Sequence, residues 1–344
     1  MASKALTHYF RILEGEEESK YLVAKKRMLH VDLNDKDDVL WKVHESTLRE
    51  DGTHHSQRGH TSLLDLKIRL ANRMMRRCTL CERRCGVNRN EGEKGHCGVA
   101  ESRISSDFIH MGEEPDLTPS YTIFFSGCTF NCVYCQNWDI STKPDSGSII
   151  TPEDLAHRIE GHARREGLPR GLGTMLGRAR NVNWVGGDPT SNLPYILTVL
   201  RECSADIPQV WNSNMYLTED SMSLLAGVVD VFLSDFKYGN DTCAMRLSNA
   251  PDYTRIIKRN HLIARENAEM IIRHLVLPGH IDCCTRPALT WISENLLDVK
   301  VNVMAQYHPE FKAREYAEIS RPLATDEFEL SIRIAKNLGL DLCD

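Results

Sequence analysis

From residue 121 onward, six short runs of apolar and β-branched residues punctuate the chain, separated by longer stretches with helical spacing. The runs are YTIFFSG (121–127), NVNWVGG (181–187), QVWNSN (209–214), VDVFLSDFK (229–237), EMIIRHLVLP (269–278) and VKVNVMAQYHP (299–309). Each is strand-sized. Of the intervening stretches, TPEDLAHRIEGHARREG opens with Thr151 as an N-cap and Pro152 at the first helical position, and TEDSMSLLAG repeats the scheme with Thr218 as cap and Gly227 as stop. Strands alternating with helices imply right-handed βα units and a parallel sheet. Six strands fall short of the eight that close a full barrel, so the pattern predicts an α/β fold, an open partial (β/α)6 barrel over residues 120–312.

Outside the barrel the pattern changes. Residues 1–75 are charged, with EGEEESK, LNDKDDV and a polar connection HESTLREDGTHHSQRGHTS, and read as an N-terminal extension. LLDLKIRLANRMMRR has apolar residues at helical spacing. Residues 76–110 are rich in Gly and Cys and read as a small metal-binding module, and 313–344 as a helical tail. The longest apolar runs are far below a membrane span, and the first twenty residues lack a continuous apolar segment. These features predict a soluble cytoplasmic protein with no membrane partner. A net charge of -6 offers no global positive field for nucleic acid. One basic stretch, ARREGLPRGLGTMLGRAR (163–180), with Arg164, Arg165, Arg170, Arg178 and Arg180, reads as a solvated face or, alternatively, as a surface that steers RNA.

Twelve cysteines in such a chain point to metal or redox chemistry rather than a secreted disulfide framework. Seven lie in two groups, Cys78, Cys81, Cys85 and Cys97, then Cys128, Cys132 and Cys135. A structural zinc site wants four protein ligands, and the loop GCTFNCVYC supplies three. An iron-sulfur cube also has four metal corners, so three cysteines leave one iron open to an outside ligand. A zinc site that borrows a distant fourth ligand, or three unconnected thiols, are the alternatives. Other polar groups gather at the ends of the predicted strands, where βα loops meet: Gly186, Gly187 and Asp188 in GGDP, Ser213 and Asn214 in NSN, Asp235 and Lys237 in SDFK, His280 in LPGH, and Gln306, Tyr307 and His308 in QYHP. Asp235 and Lys237 are two apart, so they share one side of their strand. Paired with each other they form an ion pair, and with a ligand they can neutralise and orient a carboxylate.

CTFNCVYC, with Tyr134 before the third cysteine, resembles the CxxxCxxC signature of radical SAM enzymes. The resemblance implies a 4Fe-4S cluster on Cys128, Cys132 and Cys135. It also implies that S-adenosylmethionine (SAM), bound to the open iron, is cleaved by one electron to methionine and a 5'-deoxyadenosyl radical that abstracts hydrogen from a substrate. VGGDP resembles the GGEP-type motif of the superfamily, with Asp188 where Glu is usual, and would hold the SAM amino group through its glycine backbone. Ser213, Asn214, Tyr134 and His280 would complete the SAM site. DFK resembles the D-x-K segment of glycyl-radical activating enzymes, in which Asp235 and Lys237 stand near SAM. Motif order over residues 75–312 resembles the pyruvate formate-lyase activating enzyme-like subgroup, although accessory cysteines precede the loop here and follow it in those activases. This implies a protein substrate and a one-electron reductant such as a flavodoxin or ferredoxin.

The upstream Cys78, Cys81, Cys85 and Cys97 follow C-x2-C-x3-C-x11-C, which suits zinc or a second iron-sulfur cluster equally. Cys243, Cys283 and Cys284 follow strand ends and could donate hydrogen atoms at the same mouth, or simply pack as small core residues. Cys203 and Cys343 belong to no motif. Two other functions compete with a protein-directed radical SAM enzyme: an RNA-modifying radical SAM enzyme, and a non-enzymatic iron-sulfur or zinc protein.

Overall fold

The computed structural model describes residues 4–49, 60–164 and 178–343. Its centre is an eight-stranded sheet. The strands are β1 (Ile104–His110), β2 (Ser120–Phe125), β3 (Asn181–Gly186), β4 (Gln209–Ser213), β5 (Val231–Asp235), β6 (Glu269–Leu275), β7 (Lys300–Met304) and β8 (Asp341–Leu342). Their order is β8-β7-β6-β5-β4-β3-β2-β1, all neighbours parallel except β1, which runs antiparallel to β2. All six apolar runs therefore form strands, consecutive in the chain and adjacent in the sheet, as right-handed βα units require.

Both edges differ from the expectation. Residues 104–110, of which Ile104 and Ile109 are buried, pair with β2, so the segment taken as the end of the cysteine module is a strand. The tail is not wholly helical: after its helix, Asp341 and Leu342 return to pair with Lys300 and Val301. Two residues are too few to show a period.

Helices cover the outer face: α1 (Thr7–Glu14), α2 (Lys20–Lys26), α3 (Asp37–Arg49), α4 (Leu63–Met74), α5 (Trp138–Ser141), α6 (Pro152–Ala163), α7 (Leu193–Glu202), α8 (Glu219–Leu225), α9 (Asp241–Ser248), α10 (Tyr253–Asn267), α11 (Arg286–Asn295) and α12 (Thr325–Asn337), with α1 and the short α5 of the cysteine loop the exceptions. The caps read from the sequence form: Thr151 accepts from the Asp154 N–H at the start of α6, and Thr218 from the Ser221 N–H at the start of α8. Helix α4 starts with a reciprocal Ser62–Asp65 capping box and buries Leu63, Leu64, Leu66, Leu70 and Ala71 in the main core.

Helix α1 takes a different place. Its Tyr9, with the preceding Leu6, packs with Leu117, Val210, Val231, Leu233 and Ile271 in a separate small core. Those sheet residues come from the amino-terminal halves of β4, β5 and β6, on the inward face. The Glu269 carboxylate accepts the His8 and Tyr9 N–H groups at 2.7 and 2.8 Å, satisfying donors that a first helical turn leaves open. Thus α1 stoppers one end of the sheet's inner face, and the free space lies at the other end. Among the described residues no helix is long and apolar enough to cross a membrane.

Candidate active site

A cavity of about 580 Å3 opens at the carboxyl ends of the strands. Period-2 alternation along β2 to β7 aims Phe124, Val185, Asn212, Asp235, Arg273, Leu275, Asn302 and Met304 into it. Cys128, Cys132 and Cys135, on the loop after β2, line the same space. Each sulfur has a hydrogen-bonding neighbour. Phe130 N–H and the Asn214 amide donate to Cys128 Sγ at 3.4 and 3.8 Å, Ser248 Oγ donates to Cys132 Sγ at 2.9 Å, and Ser141 Oγ stands 3.4 Å from Cys135 Sγ. Burial pushes the Cys128 thiol well up, with Asp188 acting in the same direction. Cys132 is raised to about 11 by burial, against the nearby Lys237 cation.

Helix α9 holds this loop in place. The Ser248 and Leu247 carbonyls at its end accept from the Asn131 and Val133 N–H groups at 3.1 and 2.9 Å. Tyr134 is buried, and its hydroxyl meets Tyr238 Oη at 2.7 Å, which in turn meets Ser248 Oγ at 2.5 Å. The aromatic residue before the third cysteine is thus tied, through two hydroxyls, to the Cys132 sulfur.

The glycine pair serves backbone packing. Gly186 has φ +123°, and a Cβ there would lie 2.1 Å from Phe125 N; a Cβ on Gly187 would lie 2.1 Å from the Gly127 carbonyl oxygen. The β3 end can therefore press against the chain leading into Cys128, where Gly187 N–H donates to Phe125 O and Asp188 N–H to Gly127 O. Asp188, only 1% exposed, turns inward: Oδ1 accepts Thr190 N–H at 2.9 Å, and Oδ2 accepts Ser213 Oγ–H and Asn214 N–H, each at 3.0 Å. Burial raises its carboxyl above the usual range, and these donors oppose the rise. The Asp188 side chain is a brace between two strand ends. Through it Asn214 reaches the first cysteine.

Asp235 and Lys237 form an ion pair at 2.7 Å on the cavity wall. Burial alone would lower Lys237; the Asp235 carboxylate and the Cys132 sulfur outweigh it and hold the ammonium above the ordinary lysine range. Sequence reasoning missed a second polar group. Arg273 on β6 clamps Glu114 through two 2.7 Å bonds and also pairs with Glu113; Asn302 donates to Glu114 at 2.8 Å and Asn183 to Glu113 at 2.9 Å. Burial opposes ionisation of Glu113, yet His110 and Arg273 outweigh it and hold the carboxyl down at about 2. An arginine inside the apolar run EMIIRHLVLP was the available signal, since a buried cation demands a carboxylate partner.

A family model described as the radical SAM superfamily matches residues 122–292, which span the strands and loops that build this cavity. The chain belongs to the radical SAM superfamily. It is 43% identical, over 98% of both chains, to the uncharacterized protein MJ0674 of Methanocaldococcus jannaschii. It is 24% identical to the pyruvate formate-lyase 1-activating enzyme of Escherichia coli K12 over 47% of this chain and 63% of that one. MJ0808, an uncharacterized protein of the same archaeon, matches at 30% over 23% of this chain and 29% of its own.

Not every residue singled out from the sequence lines the radical SAM cavity. Gln306 does, accepting through its carbonyl from the Gln136 amide at 2.7 Å. Tyr307 is buried with its hydroxyl on Ile319 O at 2.5 Å, and His308 is exposed. His280 faces Cys243, Cys283 and Cys284 instead of the cavity. Of the upstream cysteines, Cys78 and Cys81 are buried, Cys97 is half-buried and Cys85 exposed; burial raises the Cys81 thiol, and Cys97, Cys78 and Cys85 add to the rise. In the basic stretch, Arg164 pairs with Glu160 and Arg180 lies over the Phe10 ring, while Arg165 and Arg170 fall outside the described residues.

Proposed function

We propose that this protein is a radical SAM enzyme of the activating-enzyme type acting on a protein segment. Cys128, Cys132 and Cys135 would hold a 4Fe-4S cluster with SAM in the cavity beside it, and reductive cleavage of SAM supplies a 5'-deoxyadenosyl radical that takes a hydrogen atom from the substrate. The observation that carries this reading is three thiols facing one cavity stoppered at its far end, each with its own hydrogen-bonding neighbour. Donors to sulfur are what cluster-bound thiolates use.

The chain's own residues supply the rest. Lys237 sets a positive charge beside the sulfurs, and Asp235 fixes its position. Asp188 keeps Ser213 and Asn214 at the cavity wall, and Asn214 bonds Cys128. Polar Asp235 and Asn212 line the cavity where they could meet the amino, carboxylate and hydroxyl groups of SAM. Next to the cavity-lining Asn137, Trp138 stacks on Phe311 with ring planes 9° apart, both 37% exposed, a surface suited to an incoming peptide. The upstream Cys78, Cys81, Cys85 and Cys97 would hold a second metal, zinc or iron-sulfur. A flavodoxin-like or ferredoxin-like donor would supply the electron.

Anaerobic reconstitution with iron and sulfide, then reduction in the presence of SAM, tests the proposal. Release of 5'-deoxyadenosine, abolished in Cys135→Ala, is the expected result. No release from a sample with intact cluster, or a zinc ion on Cys128, Cys132, Cys135 and a fourth protein donor, overturns it.

A further inference from the structure

Cys243 near the start of α9 and His280, Cys283 and Cys284 after β6 converge outside the cavity, with one ligand atom from each within 4.8 Å of all the others. Cys243 Sγ to Cys283 Sγ and Cys283 Sγ to Cys284 Sγ are both 3.9 Å. His280 Nδ1 lies 3.6, 3.2 and 3.9 Å from the sulfurs of Cys243, Cys283 and Cys284. A tetrahedral zinc with Zn–S near 2.3 Å and Zn–N near 2.0–2.1 Å has S···S edges of about 3.8 Å and S···N edges of about 3.6 Å. The measured edges scatter about these lengths. Those between thiolates of a four-iron cube are far longer, since its sulfurs bind different irons. We propose that Cys243, His280, Cys283 and Cys284 form a Cys3His site for a single zinc ion, separate from both cysteine groups read from the sequence.

Three features outside the ligands support the site. The turn carrying both adjacent cysteines is widened: Thr285 N–H reaches back five residues to the His280 carbonyl at 3.1 Å, and the resulting turn turns both thiols toward one point. Gly239 lets the loop after β5 press onto this turn, because a Cβ there would meet the Cys283 carbonyl at 2.7 Å. The Asn240 amide then donates to Cys283 O at 2.7 Å and approaches Cys243 Sγ at 3.4 Å, an outer-shell donor to a ligand. On the imidazole, Nε2 is buried without a partner, which leaves Nδ1, facing the thiols, as the bonding atom.

Zinc bound here would displace the three thiol protons to solvent and pin the start of α9 to the loop after β6. The far end of α9 holds the Cys128–Cys135 loop. The ion therefore acts as a clamp at one end of the helix that positions the other cysteine loop, and this inference stands whether or not the cavity cleaves SAM.

Cys283 reaches the surface, so its alkylation reads the site in the unaltered chain. Zinc-loaded protein kept under a phosphine reductant is treated with iodoacetamide before and after chelation, and the modified peptides are quantified by mass spectrometry. Cys283 and Cys243 are expected to label at least tenfold more slowly with zinc present. His280→Ala is expected to lose one zinc equivalent per chain and to label at the chelated rate. Equal labelling of Cys283 with and without zinc, or an unchanged zinc content in His280→Ala, overturns the proposal.

Discussion

Replacing Asp188 by asparagine tests the brace at the cavity wall with almost no change in shape. The carboxylate accepts Thr190 N–H on one oxygen and Ser213 Oγ–H plus Asn214 N–H on the other. Asparagine keeps one acceptor oxygen. If that oxygen faces Ser213 and Asn214, the new NH2 confronts Thr190 N–H; if it faces Thr190, the NH2 confronts Asn214 N–H while Ser213 rotates to accept. Either orientation strands one buried backbone donor, at a cost of about 1–3 kcal/mol. Relief of the buried charge offsets part of this, because burial already raises the Asp188 carboxyl. A raised carboxyl means that the folded state holds its proton more tightly than the unfolded one. Wild-type stability should thus fall as pH rises through the acid range just above the ordinary aspartate value, and Asp188→Asn should lack that component. Urea denaturation at neutral pH, compared at constant m, is the assay. An unchanged midpoint, or an unchanged acid-range slope, would refute the brace.

Gly187→Ala places a methyl 2.1 Å from the Gly127 carbonyl oxygen and should cost ~3 kcal/mol or more, read as a lowered denaturation midpoint together with poorer cluster incorporation. Arg273→Met leaves Glu113 and Glu114 buried without their cation, and a loss of about 3–5 kcal/mol is expected in the same assay. Glu113 is held down at about 2 by His110 and Arg273, so its contribution is complete above the ordinary glutamate range and is lost as pH falls toward 2; an acid titration of Arg273→Met, which keeps His110, should show a smaller loss. Lys237→Met removes the cation beside Cys132 and the partner of Asp235, and 5'-deoxyadenosine release should fall about tenfold or more, given the worth of one charge-assisted bond.

The sheet was legible because its strands are buried on both faces and therefore read as apolar runs that turns interrupt. YTIFFSG and NVNWVGG were placed within two residues of the strands Ser120–Phe125 and Asn181–Gly186. The edges were not: β1 buries only Ile104 and Ile109 and lies beside a cysteine-rich loop, and β8 has only Asp341 and Leu342. The three-cysteine loop and the Asp235–Lys237 pair were legible because their spacing is local. Asp188 shows the limit, since its chemistry was visible but its direction was not: Ser213 and Asn214 consume both lone-pair sides of one oxygen from 25 and 26 residues away. The Glu113–Glu114–Arg273 group joins positions about 160 apart, and no local pattern reports such a meeting.

The amino-terminal residues decide which face of the barrel can work. Left alone, Val210, Val231, Leu233 and Ile271 would present an apolar floor open to solvent, and water could reach the cavity from beneath. Leu6 and Tyr9 cover them completely, the Asn181 amide donates to Tyr9 Oη at 3.0 Å, and Glu269 fixes the first turn of α1. Burying several large side chains at about 1.5–3 kcal/mol each makes the stopper a stable part of the fold rather than an appendage. Access is then restricted to the open end, where Gln136, Asn137 and Gln306 line the cavity. On the function proposed above, a radical made inside such a one-ended vessel would meet what enters at its open end before it met bulk water. On that proposal, selectivity for the substrate would reside in the loops at the open end, and the charged walls beneath them would be left to serve the cofactor.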